Sequence, residues 1–248
     1  MPRLVDIKEA CLEVIYTELI ETSEACRLYD KLTTDANEHN CLGCQFMDLH
    51  RLIYDNFKRL PAGELDREFF CKTYIFWLYF SVERVYEIFD MINHGGRNKL
   101  FKTFFEKHFT TTKRVKRWAN FLKHPKAFQF THHPSYRLSS SRLPKDSEMT
   151  VIDSVFVEKY YQGNNLNREL TQKLVGKENV CVVFPDLLEL TRGFCSEFKI
   201  FVDFICSNDM VADYLRSEST ITSYYTGLDE DSATPSVPVP PEAQLISE

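Results

Sequence analysis

The chain has 248 residues, 44% of them hydrophobic and 14% aromatic, enough apolar material for a real core in one large domain or two small ones. Only 8 residues are Gly, against 20 Phe and 12 Tyr, which argues against a glycine-rich nucleotide fold or a many-stranded sandwich with tight turns. The formal net charge is -6, but residues 101–145 hold 11 Lys/Arg and one acid, Glu106, so that segment is +10 and the remainder -16.

In chain order, residues 4–32 read as a helix, with Val5, Leu12, Ile15, Leu19 and Leu28 recurring among polar residues. The first residues, MPRLVDIKEACLEV, are interrupted by charge and contain no apolar signal core. No run of 18 or more apolar residues follows, so neither secretion nor a membrane span is expected. That predicts a cytoplasmic protein whose 8 cysteines are reduced thiols, several of them acting as small core hydrophobes.

Residues 46–60 form a second helical stretch, stopped by Pro61 and Gly63. The longest candidate covers residues 65–93. Asp66 is placed to cap it, and Phe70, Tyr74, Trp77, Leu78, Val82, Val85, Ile88 and Phe89 are predicted to face inward. Residues 100–109 are a short amphipathic helix or turn, and Thr110, Thr111 and Thr112 offer a cap for a helix over 113–124. From Gln129 to Asp146 the chain reads as loop. Residues 150–157 and 180–184 read as strands, with a short helix over 166–175 between them. Residues 186–215 are helical again, with Leu187, Leu190, Phe194, Phe198, Phe201, Val202 and Ile205 as the stripe. Residues 229–248 are acidic and Pro-rich and are expected to be disordered. The predicted fold is therefore mainly α. A helical bundle covers residues 1–145, a small α/β appendage packs on it over 146–228, and a tail covers 229–248.

The sharpest feature is KRVKRWANFLKH, residues 113–124. On a helical wheel Val115, Trp118, Ala119 and Leu122 fall on one side. Arg117 and His124, seven apart, fall on the other, about 20° out of line. Asn120 lies between them toward one edge, and Arg114 and Phe121 border the other. Imidazole exchanges protons near neutral pH, and guanidinium holds phosphate and stabilises developing charge on it. Together they suit attack of an RNA 2′-hydroxyl on the adjacent phosphate, which requires no metal and no cofactor. Lys113, Arg114, Lys116, Lys123 and Lys126 would attract the backbone. His132 and His133, close behind in sequence, either contact phosphate or assist as a second acid/base, or stand inert in an exposed loop. The same positive charge suits an internal seam against the acidic remainder equally well.

This layout resembles the HEPN superfamily, helical-bundle proteins that include many metal-independent endoribonucleases with an R-x(4–6)-H motif. Arg117-WANFLK-His124 is similar to its six-spacer form, and Asn120-FLK-His124 to its Asn-x-x-x-His half. Residue 119 is Ala where the commonest version has Arg, so Arg117 would have to substitute for it. The resemblance covers about residues 4–135. It implies Arg117, His124 and Asn120 as catalytic residues and RNA as substrate. It also implies a toxin or phage-defence role, a restraining protein partner, and a homodimer with two motif helices at its axis. Phe121 would be an interface contact there. The alternative is a non-catalytic helical module that binds nucleic acid or an acidic protein.

Three other features carry weaker chemistry. Cys41 and Cys44 form a single C-x-x-C near His39 and His50, four groups that suit tetrahedral zinc or serve as ordinary side chains. Arg84 and Glu83 either line the motif groove or form a surface ion pair. Cys195 lies inside a predicted helix and reads as a structural thiol.

Overall fold

The computed structural model describes residues 3–28, 42–60, 66–94, 98–123, 130–139, 149–160 and 174–209. Of these, 76% are helical, with a three-stranded parallel sheet in the C-terminal half, in agreement with the mainly α expectation. Among the described residues no helix is long and apolar enough to cross a membrane.

The first helix is broken where continuous periodicity predicted one span. Helix α1, Leu4–Ile15, passes into a π-helical turn, Tyr16–Ile20, and then a 3₁₀ turn, Glu24–Leu28. Ser23 between them has φ of 50°, a left-handed conformation that ends an α-helix. The apolar positions survive the break, because Leu12, Ile15, Leu19 and Leu28 are all buried.

Helix α2, Leu42–Arg59, and helix α3, Arg67–His94, follow the predicted segments closely. Asp66 caps α3 as expected, its Oδ1 accepting from Phe69 N at 2.7 Å. Of the α3 residues assigned inward, Trp77 is the exception. It is half-exposed and packs edge-on against Phe80, while the other seven are buried. Helix α4, Asn98–His108, and helix α5, Thr110–Lys123, come next. Helix α7, Leu187–Cys206, buries its entire predicted stripe.

The sheet differs most from expectation. Strand β1, Ser135–Arg137, lies in the segment read as loop. Three residues are too short to show alternation, and β1 exists because it pairs with β3, Val180–Val183, with Tyr136 opposite Val182. Strand β2 is only Thr150–Ile152, and residues read as its continuation form helix α6, Ser154–Tyr160. The order is β1-β3-β2, all parallel. Val180, Cys181 and Val182 on the central strand are all buried, as a parallel strand covered on both faces requires. The helix expected over 166–175 and the tail over 229–248 lie outside the described residues, except for the helix's last two positions, Leu174 and Val175.

One continuous core joins α1, α2, α3, α5, the sheet and α7. Phe198 of α7 meets Phe46 and His50 of α2 at ring distances of 5.0 and 4.9 Å. Phe204 of α7 lies 4.1 Å from Phe104 of α4. Each buried phenyl ring contributes roughly 1.5–3 kcal/mol of hydrophobic stabilisation, so the rings of α7 hold the N-terminal helices together.

Candidate functional site

Helix α5 packs between α3, α6 and α7. Its buried residues are Thr112, Val115, Trp118, Ala119 and Phe121. Trp118 is fully buried, its Nε1 donating to Ser154 Oγ at 3.3 Å. Phe121 corrects the expectation of an aromatic on the polar face. It is 6% exposed and sits edge-on to Trp118 at 5.7 Å. The core around α5 is wider than one wheel face because α3, α6 and α7 enclose it on three sides. A dimer contact through Phe121 is therefore withdrawn. Ala119 is fully buried. A guanidinium there would have no water and no space, so packing accounts for the small residue.

The cations of α5 meet different surroundings. Arg114 reaches two carboxylates, with Nη1 2.7 Å from Glu189 Oε1 and Nε 3.1 Å from Glu158 Oε1. Lys116 Nζ pairs with Glu83 Oε1 at 3.0 Å and lies 3.6 Å from the centre of the Tyr86 ring. Lys123 Nζ donates to Tyr79 Oη at 2.7 Å. Burial lowers the Lys123 pKa, and burial beside Glu83 raises that of the Tyr79 phenol. Lys113 Nζ donates to the Glu106 carbonyl at 3.3 Å and approaches the Phe105 ring, and burial lowers its pKa too. Arg114 and Lys116 thus close an internal seam with Glu83, Glu158 and Glu189, one of the two readings the charge distribution allowed.

The N-terminus of α5 is also occupied. Glu197 of α7, largely buried, accepts from Thr111 N at 2.6 Å and Thr112 N at 2.7 Å. Its carboxylate sits where the helix dipole would otherwise attract an external anion. The threonines expected to cap the helix lie in its first turn instead, and the cap arrives from 85 residues downstream, where no local pattern marks it.

Arg117 and Asn120 stand apart from their neighbours. Both are half-buried, three residues apart on α5, and neither has a hydrogen-bond or ion-pair partner among the described residues. A guanidinium and a carboxamide in that arrangement offer several N–H donors to one phosphate group. His124 and Lys126 lie outside the described residues. His132 and His133 are exposed before β1, and among the described residues no hydrogen bond or ion pair joins them to α5.

The weaker candidates disperse. Glu83 turns toward Lys116 on α5, whereas Arg84 donates to Gln45 on α2 at 2.6 Å. His50 is buried, with Nε2 3.1 Å from Ser81 Oγ, and three phenyl rings surround it, so it faces away from any joint site with Cys44. Cys41 and His39 lie outside the described residues. No group of three or more potential metal ligands occurs among the described residues. Burial pushes the Cys11 and Cys71 thiols up to about 11 and about 12, and raises Cys195 as well, so these thiols are packing groups rather than nucleophiles. Comparison of the chain with family models, curated proteins and solved structures finds no match.

Proposed function

We propose that the protein binds RNA, and that Arg117 and Asn120 on α5 receive its phosphodiester backbone. One observation carries this reading. Arg117 and Asn120 lack partners among the described residues, on a helix whose Lys113, Arg114, Lys116 and Lys123 all have them. An arginine left half-buried and uncompensated is ready to take an anion without first breaking an internal ion pair. The positive segment around it supplies the long-range attraction that a polyanion requires.

A second reading adds chemistry to the same face. Arg117 belongs to the R-x(6)-H resemblance and Asn120 to its Asn-x-x-x-His half, and His124 completes both. In that reading the 2′-oxygen attacks phosphorus and the bond to the 5′-oxygen breaks. The 2′-hydroxyl proton goes to His124, and the protonated imidazole returns it to the leaving 5′-oxygen. Arg117 carries the extra charge on the phosphate.

The test uses the purified full chain and single-stranded RNA in excess EDTA, beside Arg117→Ala and His124→Ala variants. Wild type is expected to bind with an affinity that falls as salt rises, and Arg117→Ala to bind about tenfold more weakly, the loss of a charge-assisted contact. Equal affinity for wild type and Arg117→Ala refutes the proposed face. Cleavage by wild type alone, leaving cyclic phosphate ends, establishes the second reading. DNA of the same sequence is then expected to bind and survive, since it lacks the attacking hydroxyl.

A further inference from the structure

A cavity lined by described residues lies away from α5, where the sheet meets α1. Strands β1 and β3 are parallel neighbours, so both chains leave the sheet at the same edge. There they part, with Leu138 and Ser139 following β1, while Pro185 and Asp186 lead from β3 into α7. Diverging chains at the carboxyl edge of parallel strands leave a crevice between them. The first turns of α1 close it with Asp6, Ile7 and Ala10, and Leu187 and Leu188 complete the wall. Its volume is about 190 Å³, and it is partly open to solvent. Dry cavities of roughly 150 Å³ already hold a benzene-sized molecule.

The chemistry of the wall selects the ligand. Leu138, Pro185 and Leu187 are buried, and Ile7, Ala10 and Leu188 add aliphatic surface, which favours an apolar body. The polar groups are mainly acidic. Asp186 caps α7, accepting from Glu189 N at 3.0 Å. Asp6 pairs with the exposed Arg3, which holds its carboxyl below the ordinary range. Two carboxylates therefore stand at the rim among the described residues, one paired with Arg3 and one at the α7 N-terminus, and they favour a neutral ligand over an anionic one.

We propose that this cavity is a binding site for a small apolar molecule of about one to two fused rings that carries no negative charge. The site is independent of the RNA face, shares no residue with it, and stands whether or not RNA binds.

Indole is the neutral probe and indole-3-acetate its anionic counterpart. Each is titrated into the isotopically labelled full chain while amide shifts are followed. Indole is expected to bind saturably, with shifts confined to residues 6–10, 138–139 and 186–188. Indole-3-acetate is expected to bind at least about tenfold more weakly, because its carboxylate meets the Asp6 and Asp186 carboxylates at the rim. Ala10→Phe, which places a ring in the cavity from the half-exposed side of α1, is expected to abolish both titrations while leaving the circular dichroism unchanged. Ile7→Trp serves the same purpose if that variant fails to fold. Non-saturable or scattered shifts with indole overturn the site. Indole binding that persists in a folded cavity-filled variant overturns it as well. Equal affinity for the two probes overturns the charge selection.

Discussion

At the scale of single residues, burial decides what a titratable group can do. His50 lies among Phe46, Phe194 and Phe198, and burial pushes its pKa down to about 3 from the ordinary 6.5. The unfolded chain takes up a proton as pH falls below 6.5, whereas the folded chain stays neutral there until about 3. The neutral imidazole therefore costs no stability above pH 6.5, and stability is lost progressively as pH falls through that window. Between pH 7 and pH 5 the wild type is expected to lose about 2 kcal/mol more than a His50→Leu variant, measured by urea unfolding. Parallel losses in the two proteins would show that His50 is not buried as described. The same burial makes Ala119 a packing residue and turns Phe121 from a surface contact into part of the core.

At the scale of elements, α5 depends on groups from distant parts of the chain. Its N-terminal amides are capped by Glu197, and its basic side reaches Glu83, Glu158 and Glu189. The helix also approaches α7 closely. A Cβ at Gly193 would run into the Thr111 side chain, so Gly is required at that crossing. Replacing Glu197 by Gln keeps the side-chain shape but removes the charge and leaves one amide without its acceptor. The expected cost is about 1–2 kcal/mol in chemical denaturation. An unchanged midpoint would mean that solvent satisfies those amides and that the cap is incidental.

At the scale of the whole molecule, the core cluster crosses residue 145. Phe198 and Phe201 of α7 pack on Phe46, and Phe201 and Phe204 lie against Phe89. A chain ending at residue 145 would lose these rings, the Glu197 cap and the central strand together. It is expected to lack a cooperative thermal transition by circular dichroism, while the full chain shows one. A sharp transition in the short chain would show that the first 145 residues hold a core of their own. The homodimer suggested by resemblance has no such anchor, since the aromatic residue assigned to it is used inside the protomer.

Sequence alone determined most of the helical segments and most of their apolar faces, although α6 was read as strand, the first helix as unbroken and Phe121 as polar-facing. The stripe of α7, the Asp66 cap and the limits of α3 were all legible, because periodicity and capping are local and each turn repeats the same signal. The charge imbalance was legible too, as was the choice it posed between an external polyanion and an internal seam. Tertiary structure decided how that charge is used. It placed Glu158 and Glu189 beside Arg114 and Glu197 on the α5 amides, while Arg117 and Asn120 kept no partner among the described residues. It also decided β1, whose three residues carry no period and become a strand only beside β3. In each case the partner lies tens of residues away in sequence, and long-range contact leaves no local pattern to read.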